Sequence, residues 1–146
     1  MTGEDYSQAI SLIRRHVNVI VCDCGTGLLD SATQGVLRAA DHLVVVLGQA
    51  ADVTDVAART YAWLEAHGHG ELAKQSVAVL NNVDPSLRVN REAIEKYLAN
   101  HARTSVRIPR DPQLASGARA MLSDLQPATR RAYKNLAASV VHNFRT

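Results

Sequence analysis

The chain has 146 residues, enough for a hydrophobic core and short for two full domains. Apolar residues make up 47% and charged residues 21%, the balance of an ordinary globular protein, and the net charge of +2 sets up no strong basic field toward nucleic acid or membrane. No apolar run reaches the roughly 18–20 residues that span a bilayer, and the start Met1-Thr2-Gly3-Glu4-Asp5 lacks the basic, then apolar, order of a signal peptide. A cytoplasmic location is expected.

Helical spacing of Ala9, Ile10, Leu12 and Ile13 predicts a first helix over about 5–16. Val17-Asn18-Val19-Ile20-Val21-Cys22 comes next, nearly all apolar or β-branched, the pattern of a strand buried on both faces. Asp23-Cys24-Gly25-Thr26-Gly27 interrupts it, and a helix is expected over about 31–40. His42 to Leu47 reads as a second buried strand. The amphipathic helix after it, about 52–67, buries Val53, Val56, Ala57, Tyr61 and Leu64. A third strand over 76–80 ends in Asn81-Asn82-Val83-Asp84-Pro85. Asn90 is placed to cap a helix through about 102. A fourth strand, 104–108, is stopped by Pro109 and Pro112, and two helices, about 113–122 and 127–144, finish the chain, with Pro127 in the first turn of the last.

Strands that alternate with helices imply an α/β fold: a mainly parallel sheet of about four strands with helices on both faces, in a single domain over 1–146. Ligands of such sheets bind beyond the carboxyl ends of the strands. The residues there are Asp23 to Gly27, Gly48 to Asp52, Asn81 to Asp84 and Pro109 to Pro112. Asp23 ends an apolar strand before a glycine-bearing loop, where a carboxylate can stand near Mg²⁺. Asn81 carries an amide able to pair with a donor and an acceptor on a purine edge, although Asn and Asp before Pro are also ordinary turn formers.

Other chemistries find little support. Cys22 and Cys24 are the only cysteines; at i, i+2 on a strand they share a face and are poorly placed for a disulfide, so they read as small buried thiols. Neither a G-x-S-x-G elbow nor an H-E-x-x-H pair occurs, and His67 and His69 flank Gly68 in a turn, where they read as solvated. A P-loop needs G-x-x-x-x-G-K-[ST]. Of the three lysines, Lys74, Lys96 and Lys134, none comes after a glycine-rich loop.

The run Val19-Ile20-Val21-Cys22-Asp23-Cys24-Gly25-Thr26-Gly27-Leu28-Leu29 resembles the Walker B and switch II region of the MinD/ParA family of deviant-Walker P-loop ATPases. Three later segments are similar to that family in their order too: Ala39-Ala40-Asp41-His42-Leu43-Val44-Val45-Val46, then Val79-Leu80-Asn81-Asn82-Val83, then Val106-Arg107-Ile108-Pro109-Arg110-Asp111-Pro112. The resemblance covers about residues 5 to 144 and is closest to the mycobacterial members, some of them associated with type VII (ESX) secretion loci. It implies that Asp23 is the Walker B carboxylate, acting on Mg²⁺ through water with no direct metal ligand, and that Gly25, Thr26 and Gly27 belong to switch II. Asn81 would contact adenine, and Pro109 and Asp111 would line the base pocket.

The deviant Walker A loop of that family has no counterpart in these residues. The expectation is a truncated or split ATPase domain that binds ATP and Mg²⁺ weakly or not at all and does not hydrolyse ATP alone. Such a domain acts as an interaction or regulatory module, or as half of a nucleotide-dependent switch in partitioning or type VII secretion. In that family the P-loop strand lies between the Walker B strand and the next. Its absence leaves unpaired edges, so a homo-oligomer or a chain supplying the P-loop half is the expected partner. The alternative is a small enzyme or receiver-like signalling domain that uses Asp23 at the strand ends; no paired base or nucleophile and no second acidic cluster supports it.

Overall fold

The computed structural model describes residues 3–25, 31–87, 89–117, 119–142 and 144, with the backbone alone for 3–7. The chain divides into two compact units, Met1–Asp41 and His42–Thr146.

In the first unit α1 (Gly3–Ile13) packs on α2 (Ser31–Ala39). Among the described residues, Ile10 and Leu37 are its buried apolar side chains. Arg14 pairs with Asp41, but both are exposed, so the pair adds little to stability.

The second unit holds the sheet. Three strands, β1 (Val44–Gly48), β2 (Val77–Val83) and β3 (Thr104–Pro109), run parallel in the order β1-β2-β3. The helices are α3 (Val53–Ala66), the short α4 (Gly70–Lys74), α5 (Arg91–His101), α6 (Pro112–Ala115) and α7 (Pro127–Val141). A 3₁₀ turn, Leu122–Asp124, precedes α7.

Strand parity assigns the helices to two faces. In β2, Val79 packs with Ile108 of β3 and Ala132 of α7, and Tyr133 and Leu136 close over them. The alternate residues Ala78 and Leu80 face the other side, in register with Val45 and Leu47 of β1. That side is covered by α3, which packs on β1, and by α5, which packs on α3 and β3. Tyr61 of α3 meets Tyr97 of α5 edge-on at 6.2 Å between ring centres, and its hydroxyl bonds that of the wholly buried Ser76 at 3.0 Å. The α/β expectation, a parallel sheet between two helix layers, is what the chain forms.

Three strands are present among the described residues, where four are expected from the sequence. Val17 to Cys22 takes no strand pairing: the backbone is irregular, and Val17, Val19 and Val21 are exposed, the last at 90%. An apolar β-branched run has strand propensity, but a strand exists only where a neighbour supplies hydrogen bonds. The helix expected over 113–122 is also cut short. Gly117 adopts φ +68°, a left-handed conformation that ends α6. The Asn90 cap forms as expected, its side chain accepting the Ala93 N–H at 3.1 Å.

Among the described residues the sheet stops at β1. Val45 and Leu47 are buried under α3, whereas Val44 and Val46 on the opposite face are exposed, Val46 at 61%. The layer formed by α7 packs chiefly on β3, and less on β2.

Candidate functional site at the carboxyl ends of the strands

The ends of β1, β2 and β3 are held together through Asp84. Gln49, just past β1, accepts the Asp84 N–H with its side-chain Oε1 and donates Nε2–H to the Asp84 carbonyl at 3.1 Å. One amide side chain thereby satisfies both backbone groups of a residue 35 positions away. Arg91, at the start of α5, donates to the same carbonyl at 3.2 Å.

The Asp84 carboxylate is equally engaged. Its Oδ1 accepts from the Ser86 N–H at 2.9 Å and the Ser86 hydroxyl at 2.6 Å, and its Oδ2 accepts from Arg110 at 3.1 Å. The Ser86 hydroxyl and N–H, then the Arg110 guanidinium, hold its pKa below the usual carboxylate range. Arg110 lies just past β3, and its N–H donates to the Val83 carbonyl at 3.0 Å. Between these anchors β2 departs from regular pairing with β3, and Asn82 takes φ +57°, a left-handed geometry that Asn tolerates better than most residues.

Beside this network lies an open cleft of about 680 Å³. Val83, Asp84, Pro85, Pro109, Arg110 and Pro112 form most of its wall. Three proline rings give the cleft apolar walls, and the Arg110 guanidinium, paired with Asp84, adds a cation to them.

The site residues expected from sequence are only partly gathered here. Pro109 lines the cleft. Asn81 is half-buried on β2, in register with Gly48, and is not part of the wall. Asp111 is 2% exposed and turned inward. Its Oδ1 accepts the Gln113 N–H at 3.0 Å, capping α6, and its Oδ2 accepts the Gln126 N–H at 2.9 Å. The buried Thr129 hydroxyl faces the same carboxylate. Burial pushes the Asp111 carboxyl up, but the donors from Gln126, Thr129 and Gln113 outweigh it and hold the pKa below the usual range. Both oxygens of Asp111 therefore hold the turn and the approach to α7.

Asp23 and Gly25 form a tight turn in the first unit, the Asp23 Oδ1 accepting the Gly25 N–H at 2.9 Å. Gly25 takes φ +59°, a conformation that side-chain-bearing residues rarely adopt. Thr26 and Gly27 lie outside the described residues. Cys22 and Cys24 are free and half-buried; burial first, then Cys22 and Asp23, pushes the Cys24 thiol pKa up. Among the described residues no three His, Cys, Asp or Glu side chains cluster to hold a metal ion, and no helix is long and apolar enough to cross a membrane.

Gln49, Arg91 and Arg110 are the site residues that sequence reasoning did not single out. Arg110 sits inside the Pro109–Pro112 turn, so its position at a strand end was a usable signal. Gln49 gave none, because its role exists only once β1 and β2 are side by side.

The chain is 29% identical over 136 residues to the ESX-1 secretion-associated protein EspI of Mycobacterium tuberculosis, in strains CDC 1551 / Oshkosh and H37Rv alike. That alignment covers 89% of this chain and 20% of the relative. The chain thus spans about a fifth of the length of the curated relatives it matches. No family model matches it, and no solved structure matches it.

Proposed function

We propose that this chain is an interaction module built on the carboxyl-terminal part of a MinD/ParA-like ATPase fold and that it serves type VII secretion. In this reading it does not hydrolyse ATP alone. The similarity to the ESX-1 secretion-associated EspI supports the secretion link. The sequence order of Asp23, Asn81 and the Ile108-Pro109-Arg110-Asp111-Pro112 turn supports the family reading.

The observation that carries the module reading is the interrupted sheet. β1 is an edge strand with Val44 and Val46 uncovered, and Val17 to Cys22 is an apolar run that pairs with nothing among the described residues. In the MinD/ParA fold the P-loop strand stands between these two segments. A partner strand adding to β1 would satisfy its open backbone edge and bury Val44 and Val46. The partner in this reading is a second copy of this chain or a segment that supplies the P-loop half. In this reading an adenine ring rests in the cleft walled by Pro109 and Arg110, and Asp23, in the first unit, keeps the Walker B role that the resemblance implies.

The test is calorimetric titration of the purified chain with Mg·ATP and Mg·ADP, together with light scattering. Nucleotide binding weaker than roughly 100 µM, about −5.5 kcal/mol, is expected, with a mass above that of one chain. Tight nucleotide binding by a monomer would overturn the reading, since it would require a complete phosphate site and no partner.

A further inference from the structure

A second cavity, of about 370 Å³, opens at the start of α7. Leu122, Ser123, Pro127, Arg130, Arg131 and Lys134 line it, none of which borders the cleft described above. Pro127, Arg130, Arg131 and Lys134 stand at i, i+3, i+4 and i+7, so a single helical stripe delivers three cations to one concavity. The Arg130 guanidinium donates to the Ser123 carbonyl at 3.4 Å, which ties it to the cavity wall.

No carboxylate lines this cavity among the described residues. The acid nearest in sequence, Asp124, accepts the Met121 N–H at 3.0 Å and the Ser123 hydroxyl at 3.1 Å. The first turn of α7 carries no acidic residue. Positive side chains near the positive end of a helix dipole are unfavourable, and so is the like-charge pair Arg130 and Lys134 at i, i+4. Folding therefore places three mutually repelling charges around a concave surface, and a bound anion would relieve that repulsion.

We propose that this cavity binds a phosphoryl group, carried either by a soluble polyphosphate or by a lipid headgroup. The two guanidinium forks match the oxygens of a phosphate, Lys134 adds a point charge, and Ser123 offers a hydroxyl. Leu122 and Pro127 supply an apolar rim. The site is independent of the adenine cleft, and the two stand or fall separately.

The test uses pyrophosphate as probe, titrated calorimetrically into the intact chain at about 50 mM salt, where Coulombic binding is weakly screened. The double variant Arg131→Gln/Lys134→Gln is compared with Arg59→Gln/Lys96→Gln, which removes the same charge from exposed positions elsewhere. Expected are saturable binding by the native chain, at least tenfold weaker binding by the first variant, and a change below twofold in the second. Without ligand, the first variant should melt no lower than the native chain, because it loses repulsion and not packing. In parallel, sedimentation with phosphatidylglycerol and phosphatidylcholine vesicles separates the sources. Pyrophosphate binding without vesicle binding assigns a soluble phosphate, and binding to the anionic vesicles alone, lost in the first variant, assigns a headgroup. Binding to neither probe, or equal weakening by both variants, overturns the proposal.

Discussion

Tyr61 and Ser76 join α3 to the foot of β2 through one buried contact, and a double-mutant cycle can measure what it contributes. Tyr61 is 3% exposed and Ser76 fully buried, with their oxygens 3.0 Å apart. Tyr61→Phe leaves the Ser76 hydroxyl without its partner, and Ser76→Ala does the same to the phenol. Either orphan costs about 1–3 kcal/mol, the desolvation penalty of a buried polar group left unpaired. Removing both leaves no orphan, so the double variant should lie well short of the sum of the two, with a coupling of about 1–2 kcal/mol. For a chain of this size each kcal/mol moves the melting midpoint by about 2–4 °C, so each single variant should melt roughly 5 °C lower. Trp63, the single tryptophan, lies two residues from Tyr61 on α3, so urea titration followed by its fluorescence reports on this unit. The m-value should stay constant. Additivity of the two single variants to within about 0.5 kcal/mol would refute the reasoning.

The same tyrosine has an alkaline signature. Burial pushes the Tyr61 pKa above 10.0, so its contribution is complete below the unfolded value and lost as pH rises through the folded one; Tyr61→Phe should flatten that loss. Asp111 acts at the opposite end of the scale. Its folded pKa is depressed, so its contribution is present above the unfolded value near about 3.9 and disappears as pH falls through the folded one. Asp111→Asn should therefore flatten the acid limb of a stability–pH profile, and an unchanged limb would count against the role given to Gln113 and Gln126. Asn90→Ala should lower stability by about 1 kcal/mol, because the Ala93 N–H loses its acceptor; denaturant midpoints decide it. Val46→Lys should leave the monomer folded, since the side chain is already 61% exposed. It should weaken self-association or partner binding by about tenfold, as burying that much of a valine contributes about 1–2 kcal/mol. Light scattering on dilution reads it, and unchanged association would exclude the β1 edge as the contact.

The strands and long helices of the sheet unit were legible in the sequence because their own periodicity encodes them. β1 to β3 fall within a few residues of their expected bounds, and α3, α5 and α7 carry apolar stripes at helical spacing. What escaped depends on partners. Val17 to Cys22 has the composition of a strand, but pairing is a property of two segments. Gly117 ends α6 through its backbone conformation, which a single glycine in a helix-like window does not announce. In the site, Pro109 could be placed from the turn it opens. The inward turn of Asp111 could not, because its two donors come from residues on either side of a loop. Gln49 depends on a contact 35 residues away.

That contact also bears on the order in which the sheet assembles and comes apart. The Gln49–Asp84 bond spans 35 residues that contain α3, α4 and most of β2, so it closes a long loop. A contact of that kind, if it forms late, would be weak in the folding transition state and present in the native one. Gln49→Ala should then leave the folding rate nearly unchanged and shorten the lifetime of the native sheet, which the two limbs of a chevron would read. Gln49 is then a kinetic clasp, governing how long the strand ends stay closed once the fold is made.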